Sequence, residues 1–461
     1  MLFRIFAKKK NCMINKKRVT FSSKLGMILA AVGSAVGLGN IWRFPYEAGA
    51  NGGGAFIIVY ILCVFLIGMV AMIAEFLIGK MGRKNVVDSF NQLKPNSAWH
   101  YVGYIGLLAG VLIMGNYVVV SGWTLKYFLA SSTFGLQDLT VSGYEEFFIK
   151  YTASSFEPII YLVIFMFISH LLLSRGVKTG IEKASKIMMP ILFILLLVLV
   201  INSLLLPNAI KGLEFLFKPD FSSLSYQGVL AALAQAFFSL SLGMGAMLTY
   251  SSYFREDVNI MRTTAQVVVL DTMVALLSGM VIFPAVFAYG ASPEAGPGLV
   301  FKVLPNVFNQ MPLGVLWSSI FYLVLIIACL TSLMSLHEVV IAYFMDKRGL
   351  SRRKASLLIT IVVIVLGILS SLSMGKLNDL RLFGKTFFDI LDFISASICL
   401  PLGGMLMSIF VAWILGKDKF VSGLTNDGKI VVNKTLLNVV FFLLKYIVPM
   451  AILIIFITSL L

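Results

Sequence analysis

Long apolar runs follow one another through the whole chain, and they constrain its fold more than any other feature. They occupy about residues 25–48, 54–79, 100–130, 156–174, 184–206, 226–254, 263–290, 313–345, 354–374, 386–415 and 435–460. A run of roughly 20 apolar residues crosses the hydrocarbon of a bilayer as a helix. Backbone polar groups in hydrocarbon must pair within the segment, and these runs are too long for barrel strands. The predicted fold class is an all-α polytopic membrane protein with eleven transmembrane helices, numbered 1 to 11 in chain order. Composition agrees. Of 461 residues 59% are hydrophobic and 13% charged, too little polar surface to cover about three soluble domains.

The net charge of +16 does not point to nucleic acid, because the basic residues sit in short loops between apolar runs. If the N-terminus is cytoplasmic, that side receives 27 Lys and Arg residues and the other side 8, with Arg43 and Lys445 inside spans. Such an asymmetry places the N-terminus in the cytoplasm of a plasma (inner) membrane protein, and an odd helix count then places the C-terminus outside. The first 24 residues lack an uninterrupted apolar core, so no cleaved signal peptide is expected. Cys12, Cys63, Cys329 and Cys399 have no paired or metal-ligand spacing and read as reduced packing residues. The expected organisation is a basic tail at 1–24, a five-helix unit at 25–206, a second at 226–415 and the eleventh helix at 435–460. The loop at 291–312 is rich in Pro and Gly and is expected to fold back as a lid. No feature specifies an oligomeric state.

Two spans are interrupted in the middle. Helix 1 carries Gly33, Gly37 and Gly39 within seven residues, each weakening a helix by up to about 1 kcal/mol relative to alanine. Helix 6 carries Ser239, Ser241, Gly243 and Gly245 at matching depth. Five helices separate the two, and units with an odd number of helices are inverted relative to one another. A break exposes carbonyls for a sodium ion or an ammonium and creates a half-helix N-terminus that favours a carboxylate. Singly, such glycines more often serve close helix packing; paired, and with hydroxyls at the breaks, they read as a site. Asp271 lies in VVVLDTMVALL, where a bare carboxylate is expensive and by default functional. In helix 8, Ala328, Thr331 and Ser332 share one face, although either hydroxyl could simply bond back to its own helix.

The stretch AVGLGNIWRFPY, followed by NGGGAF, resembles the neurotransmitter:sodium symporter family, the LeuT-type amino-acid transporters that supply the type example of broken helices within inverted repeats. The likeness runs from about residue 18 to 415. It implies a LeuT-type inverted 5+5 repeat with helices 1 and 6 broken, and two sodium sites. The first would use the Ala35 carbonyl, Asn40, Ser239 and Asp271. The second would use the carbonyls of Gly33, Val36 and Ala328 with the hydroxyls of Thr331 and Ser332. These are oxygen ligands, which suit a hard cation.

By the same resemblance a substrate amino group would meet the carbonyls of Ala35, Phe238 and Ser241, and its carboxylate the amides of Leu38 and Gly39 and the hydroxyl of Tyr117. Val36, Ile113, Phe238, Met244, Thr331 or Ser332, and Leu336 would surround the side chain. No ionised residue faces that part, so a charged substrate side chain would stay unpaired at high cost. Flexible Met244 gives way to bulk. Arg43 and Asp392 resemble an outer gate pair with Phe238 as lid, and Arg18 and Asp346 an inner one near Phe21 and Tyr253. Gly180 and Pro190, flanking a polar turn in GIEKASKIMMP, mark where helix 5 would unwind. Glu75, Glu338, His337 and Lys445 read as packing or network residues.

The expected function is sodium-coupled symport of bulky hydrophobic or aromatic L-amino acids by alternating access. Chloride is not required, because Asp271 supplies the negative charge that many relatives obtain from the anion. The alternatives are a sodium-dependent binding protein or receptor that does not transport, or a transporter of another small neutral amine-type solute. An enzyme is disfavoured, since no cluster has nucleophile–base or metal-ligand spacing.

Overall fold

The structure is a computed structural model that describes residues 18–137, 139–291 and 298–460. Among them nine helices are long and apolar enough to cross a membrane. They are helix 2 (Gly54–Gly82), 3 (His100–Ser132), 4 (Glu157–Ser174), 5 (Val177–Leu204), 7 (Ile260–Ala288), 8 (Gly314–Arg348), 9 (Arg352–Leu372), 10 (Phe387–Thr425) and 11 (Lys434–Thr458). Helix 1 is a bent pair, 1a (Lys24–Ala35) and 1b (Gly39–Ala50), with 52° between its halves. Helix 6 is likewise split, into Tyr226–Ser239 (6a) and Ala246–Ser251 (6b). Each of the eleven apolar runs thus coincides with a helical segment. Helix 5 begins earlier than its apolar run, because its first turns carry the polar residues KTGIEK, which hydropathy excludes and helical hydrogen bonding admits.

Burial sorts the helices. In the most apolar window of helix 8, 78% of residues are buried inside the protein, against 33% in helices 4, 5 and 11. Helix 8 therefore runs through the centre, packed along helix 3, and helices 4, 5 and 11 present much of their surface to lipid. Helix 1a is wedged among helices 5, 7 and 8. Its small residues permit this. At Gly33 an added Cβ would stand 3.2 Å from the Thr331 side chain.

Two short helices, Leu299–Val303 and Leu304–Asn309, line the cavity at the end away from Arg18; residues 292–297 of the expected lid lie outside the described residues. Phe301 anchors them, buried among Trp42, Trp123, Tyr127, Phe148 and Tyr322 with ring centroids 5.2–6.4 Å away. Cys63, Cys329 and Cys399 are free thiols; Cys12 lies outside the described residues. Below, the end carrying Arg18, Arg83 and Arg255 is called the basic end.

Candidate functional site

Helix 1a ends where Val36 turns extended, at φ −65° and ψ 112°. The chain re-enters a helix through a local knot. Asn40 Oδ1 accepts the Gly37 N–H at 3.1 Å, and the Asn40 N–H donates to the Gly37 carbonyl at 3.2 Å. In helix 6 the break is wider. Ser241, Gly243 and Gly245 all take positive φ, at 53°, 84° and 75°. Glycine at 243 is required twice over, since a Cβ there would also stand 2.2 Å from the Leu400 carbonyl. The Gly243 N–H donates to Glu75 Oε1 at 2.6 Å, so this intramembrane carboxylate holds the break of helix 6 rather than merely packing.

The two breaks and helix 7 meet at a buried triangle. Asn40 Nδ2 donates to Ser239 Oγ at 2.9 Å and to Asp271 Oδ1 at 2.9 Å, while Ser239 Oγ donates to Asp271 Oδ2 at 2.7 Å. Tyr60 adds its hydroxyl to Ser239 at 3.3 Å. Asn40, Ser239 and Asp271 are essentially inaccessible to solvent, and these hydrogen bonds to Asp271 all come from neutral groups. A carboxylate so placed is an uncompensated charge at a low-dielectric centre. Ser239 and Asp271 bring oxygens, including that charge, which fit a hard monovalent cation. Asn40 turns its Nδ2 towards them and its Oδ1 to the Gly37 N–H, so its oxygen would join the set once the amide turns over. Gln235, absent from the sequence reading, donates from Nε2 to the Gly39 carbonyl at 2.7 Å and braces the same turn.

A second cluster joins helices 1 and 8. Ser332 Oγ donates to the Val36 carbonyl at 2.9 Å, and Ser241 Oγ donates to the Ser34 carbonyl at 2.8 Å. Thr331 Oγ1 instead bonds back to Ile327 and Ala328 within helix 8, both at 3.1 Å. Its side chain nonetheless abuts Gly33.

Between the clusters lie the residues expected to meet substrate. Tyr117 accepts the Leu38 N–H at 3.3 Å. The Phe238 carbonyl accepts the Ser241 N–H at 3.1 Å, and Gly39 leaves room for the Phe238 ring, 3.3 Å from where a Cβ would sit. Val36, Ile113, Met244 and Leu336 are buried and contribute only apolar surface. At Gly110 a Cβ would meet nothing closer than the Leu336 carbonyl at 4.0 Å. This opening beside Leu336 was not legible from composition.

The two gates differ. At the basic end Arg18 pairs with Asp346, donates to Ser252 Oγ at 3.1 Å and lies 4.8 Å over the Tyr253 ring. Asp346 also accepts the Asn85 N–H at 3.0 Å. Below them Glu338 and Arg352 form a buried ion pair, with Tyr253 donating to Glu338 at 2.7 Å. At the other end the expected Arg43–Asp392 ion pair is not made. Arg43 pairs with Glu47 one turn along its own helix, at 3.4 Å, and lies 4.7 Å over the Phe238 ring. A partner at i+4 needs no loop to close, whereas Asp392 lies across the path on helix 10. A cavity of about 820 Å³ opens at that end, between Trp42, Trp123, Phe148 and Phe388, with Lys302 and Glu145 paired at 2.7 Å on its wall. Gly180 and Pro190 both sit within a continuous helix 5, so helix 5 is wound here. His170 and His100 meet Ser356 Oγ and the Ser97 carbonyl, each at 2.8 Å.

Comparison with known proteins supplies the family. The profile of the sodium:neurotransmitter symporter family matches residues 18–143 and 150–461. The sodium-dependent transporter YhdH of Bacillus subtilis is 40% identical over 444 residues, covering 96% of this chain and 98% of the relative. A sodium-dependent transporter of Haemophilus influenzae is 35% identical, covering 97% and 99%. The sodium-dependent serotonin transporter of Drosophila melanogaster is 28% identical, covering 88% and 71%. The crystal structure of MhsT in complex with L-phenylalanine superposes with a TM-score of 0.88 at 42% identity, covering 96% of this chain and 100% of MhsT. The architecture is thus the LeuT-type fold with helices 1 and 6 broken, and this chain is a sodium-dependent membrane transporter of the sodium:neurotransmitter symporter family.

Proposed function

We propose that the protein carries bulky hydrophobic or aromatic L-amino acids into the cell together with two sodium ions, without chloride. The observation that carries this reading is the buried triangle of Asn40, Ser239 and Asp271 beside an apolar pocket. The first sodium would sit on those oxygens and the Ala35 carbonyl and would also touch the substrate carboxylate. Each ligand then raises the other's affinity, and the coupling is reciprocal. The second would lie between helices 1 and 8, on the carbonyls of Gly33, Val36 and Ala328 and the hydroxyls of Thr331 and Ser332. There it would bias the state closed at the basic end.

The substrate's zwitterion would bridge the breaks, its ammonium on the carbonyls of Ala35, Phe238 and Ser241, its carboxylate on the amides of Leu38 and Gly39 and on Tyr117. The side chain would lie among Val36, Ile113, Met244 and Leu336, with the opening beside Gly110 receiving extra bulk. That MhsT binds L-phenylalanine supports an aromatic substrate in a chain of the same fold. Two sodium ions bring +2 to a zwitterion of no net charge, and a carboxylate at Asp271 cancels one charge without a bound anion. The charge asymmetry of the loops supports a plasma-membrane protein with the basic end cytoplasmic.

Competition for bound labelled L-leucine in sodium buffer tests the substrate class. Phenylalanine, tyrosine, tryptophan and unlabelled leucine are expected to displace the label, and glutamate and lysine to leave it in place. Better displacement by glycine or glutamate than by tryptophan would remove the pocket assignment.

A further inference from the structure

Helix 1a is held at its very start by a carboxylate that neither the proposed sodium sites nor the gates use. Glu182 stands in the first turns of helix 5 with its side chain 1% exposed. Its Oε2 accepts the Ser22 N–H at 2.7 Å. Its Oε1 accepts the Ser22 hydroxyl at 2.6 Å, the Ser23 hydroxyl at 3.0 Å and the Ser23 N–H at 3.2 Å. Lys186 adds its ammonium at 2.8 Å. Ser23 is itself the N-cap of helix 1a, its hydroxyl accepting the Gly26 N–H at 3.0 Å. The close approach explains Gly26, where a Cβ would stand 2.2 Å from Glu182 Oε1 and 2.5 Å from Lys186 Cε.

The contact continues along helix 5. Met189 reaches Gly33, its Sδ 3.4 Å from where a Cβ would be. Glu182, Lys186 and Met189 are spaced i, i+4 and i+7, so they form one stripe lying along helix 1a. The stripe rests on the weakest part of helix 5. Gly176 precedes it at φ 111°, a π-helical turn spans Val177–Glu182, and Pro190 sits inside the helix. Proline has no N–H, so the carbonyl of Lys186 loses its helical donor.

We infer that Glu182 is a latch, a positioning residue that ties the first turn of helix 1a to the weak first turns of helix 5 so that the two segments release together. The inference rests on the symporter reading, because the proposed second sodium site lies at the far end of the same stripe, at Gly33 and Thr331. When residues 180–190 lose helical hydrogen bonds, Glu182 leaves with them. Four charge-assisted bonds from Ser22 and Ser23 break at once, and helix 1a loses the carboxylate that fixes its cap. Opening of the sodium site from helix 5 and release of helix 1a then become one event.

Amide hydrogen exchange on the purified full-length protein in sodium buffer tests this, with Glu182→Gln and the double variant Ser22→Ala, Ser23→Ala. In Glu182→Gln, exchange is expected to quicken about tenfold in peptides covering 18–30 and 177–190 alike. The serine variant should quicken the same two peptides to a smaller extent, and adding Glu182→Gln to it should change little further. The sodium concentration for half-maximal amino-acid binding should rise about fivefold with maximal binding preserved. A merely structural role would lower maximal binding and leave the sodium midpoint in place. Faster exchange in the helix 1 peptide alone, or in neither peptide, in both variants would overturn the latch. Absence of any sodium-driven uptake by the native protein would instead sink the symporter reading, while the exchange comparison would still decide the latch.

Discussion

At the basic end of the path, Arg18 is committed to Asp346, Ser252 and the Tyr253 ring, and Glu338 with Arg352 forms a second buried pair behind it. At the other end, among the described residues, Arg43 holds its helical neighbour Glu47 and the Phe238 ring, with a cavity of about 820 Å³ beyond. Both ends place an arginine beside an aromatic ring, so the aromatic contact cannot be what seals a gate. Sealing requires an acidic partner from across the path, and among the described residues the basic end alone has one in place. The basic end is therefore closed, and a cavity opens at the other end.

The comparison is sharpened most by the centre on which both ends act. Asn40→Ala removes the amide, and Asp271→Ala the carboxylate, from one buried triangle. The sodium concentration for half-maximal substrate binding should rise by about 100-fold or more, since breaking a buried charged network costs about 3–5 kcal/mol. Sodium titrations of binding check this, and an unchanged midpoint in both variants would remove the triangle from the sodium site. Protons would compete with a sodium held by the Asp271 carboxylate, so lowering the pH should raise the same midpoint in the native protein.

Next in size come the gates. Arg18→Ala unseals the basic end and should move the protein about tenfold towards the form open there. Arg43→Ala, with only an i+4 pair and one ring contact to lose, should shift the balance about twofold to threefold. Labelling of single introduced cysteines near each mouth, in a background without the native ones, reads both shifts. Equal effects from the two arginines would break the comparison.

The smallest effect concerns chloride. With Asp271 as resident counter-charge, replacing chloride by gluconate should leave uptake within about twofold. In Asp271→Asn the charge is lost and activity should fall. A several-fold fall in the native protein on chloride removal would mean that Asp271 is not the compensating charge.

Much of this was legible in the residues, and the exceptions share a cause. The breaks of helices 1 and 6 are local glycine and serine patterns, and Asp271 stands out because a carboxylate in hydrocarbon is rare. The triangle itself joins residues 199 and 231 positions apart, which the family motif anticipates and periodicity does not. Glu182 was hidden for the opposite reason. Beside Lys183 and Lys186 it looks like a solvated charge at a helix start, and its serines lie 160 positions away. Arg43 is not paired with Asp392 in this structure, where that end is unsealed, and the local Arg43–Glu47 spacing already offered the partner it holds.

The central claim is that sodium drives a bulky neutral amino acid through this protein. Uptake of labelled L-phenylalanine into proteoliposomes, with an inward sodium gradient and gluconate as the anion, tests it most directly. The account predicts accumulation that collapses when the sodium gradient is dissipated and that Asp271→Ala abolishes. Equal uptake with potassium in place of sodium, or sodium-dependent binding with no accumulation, would contradict it.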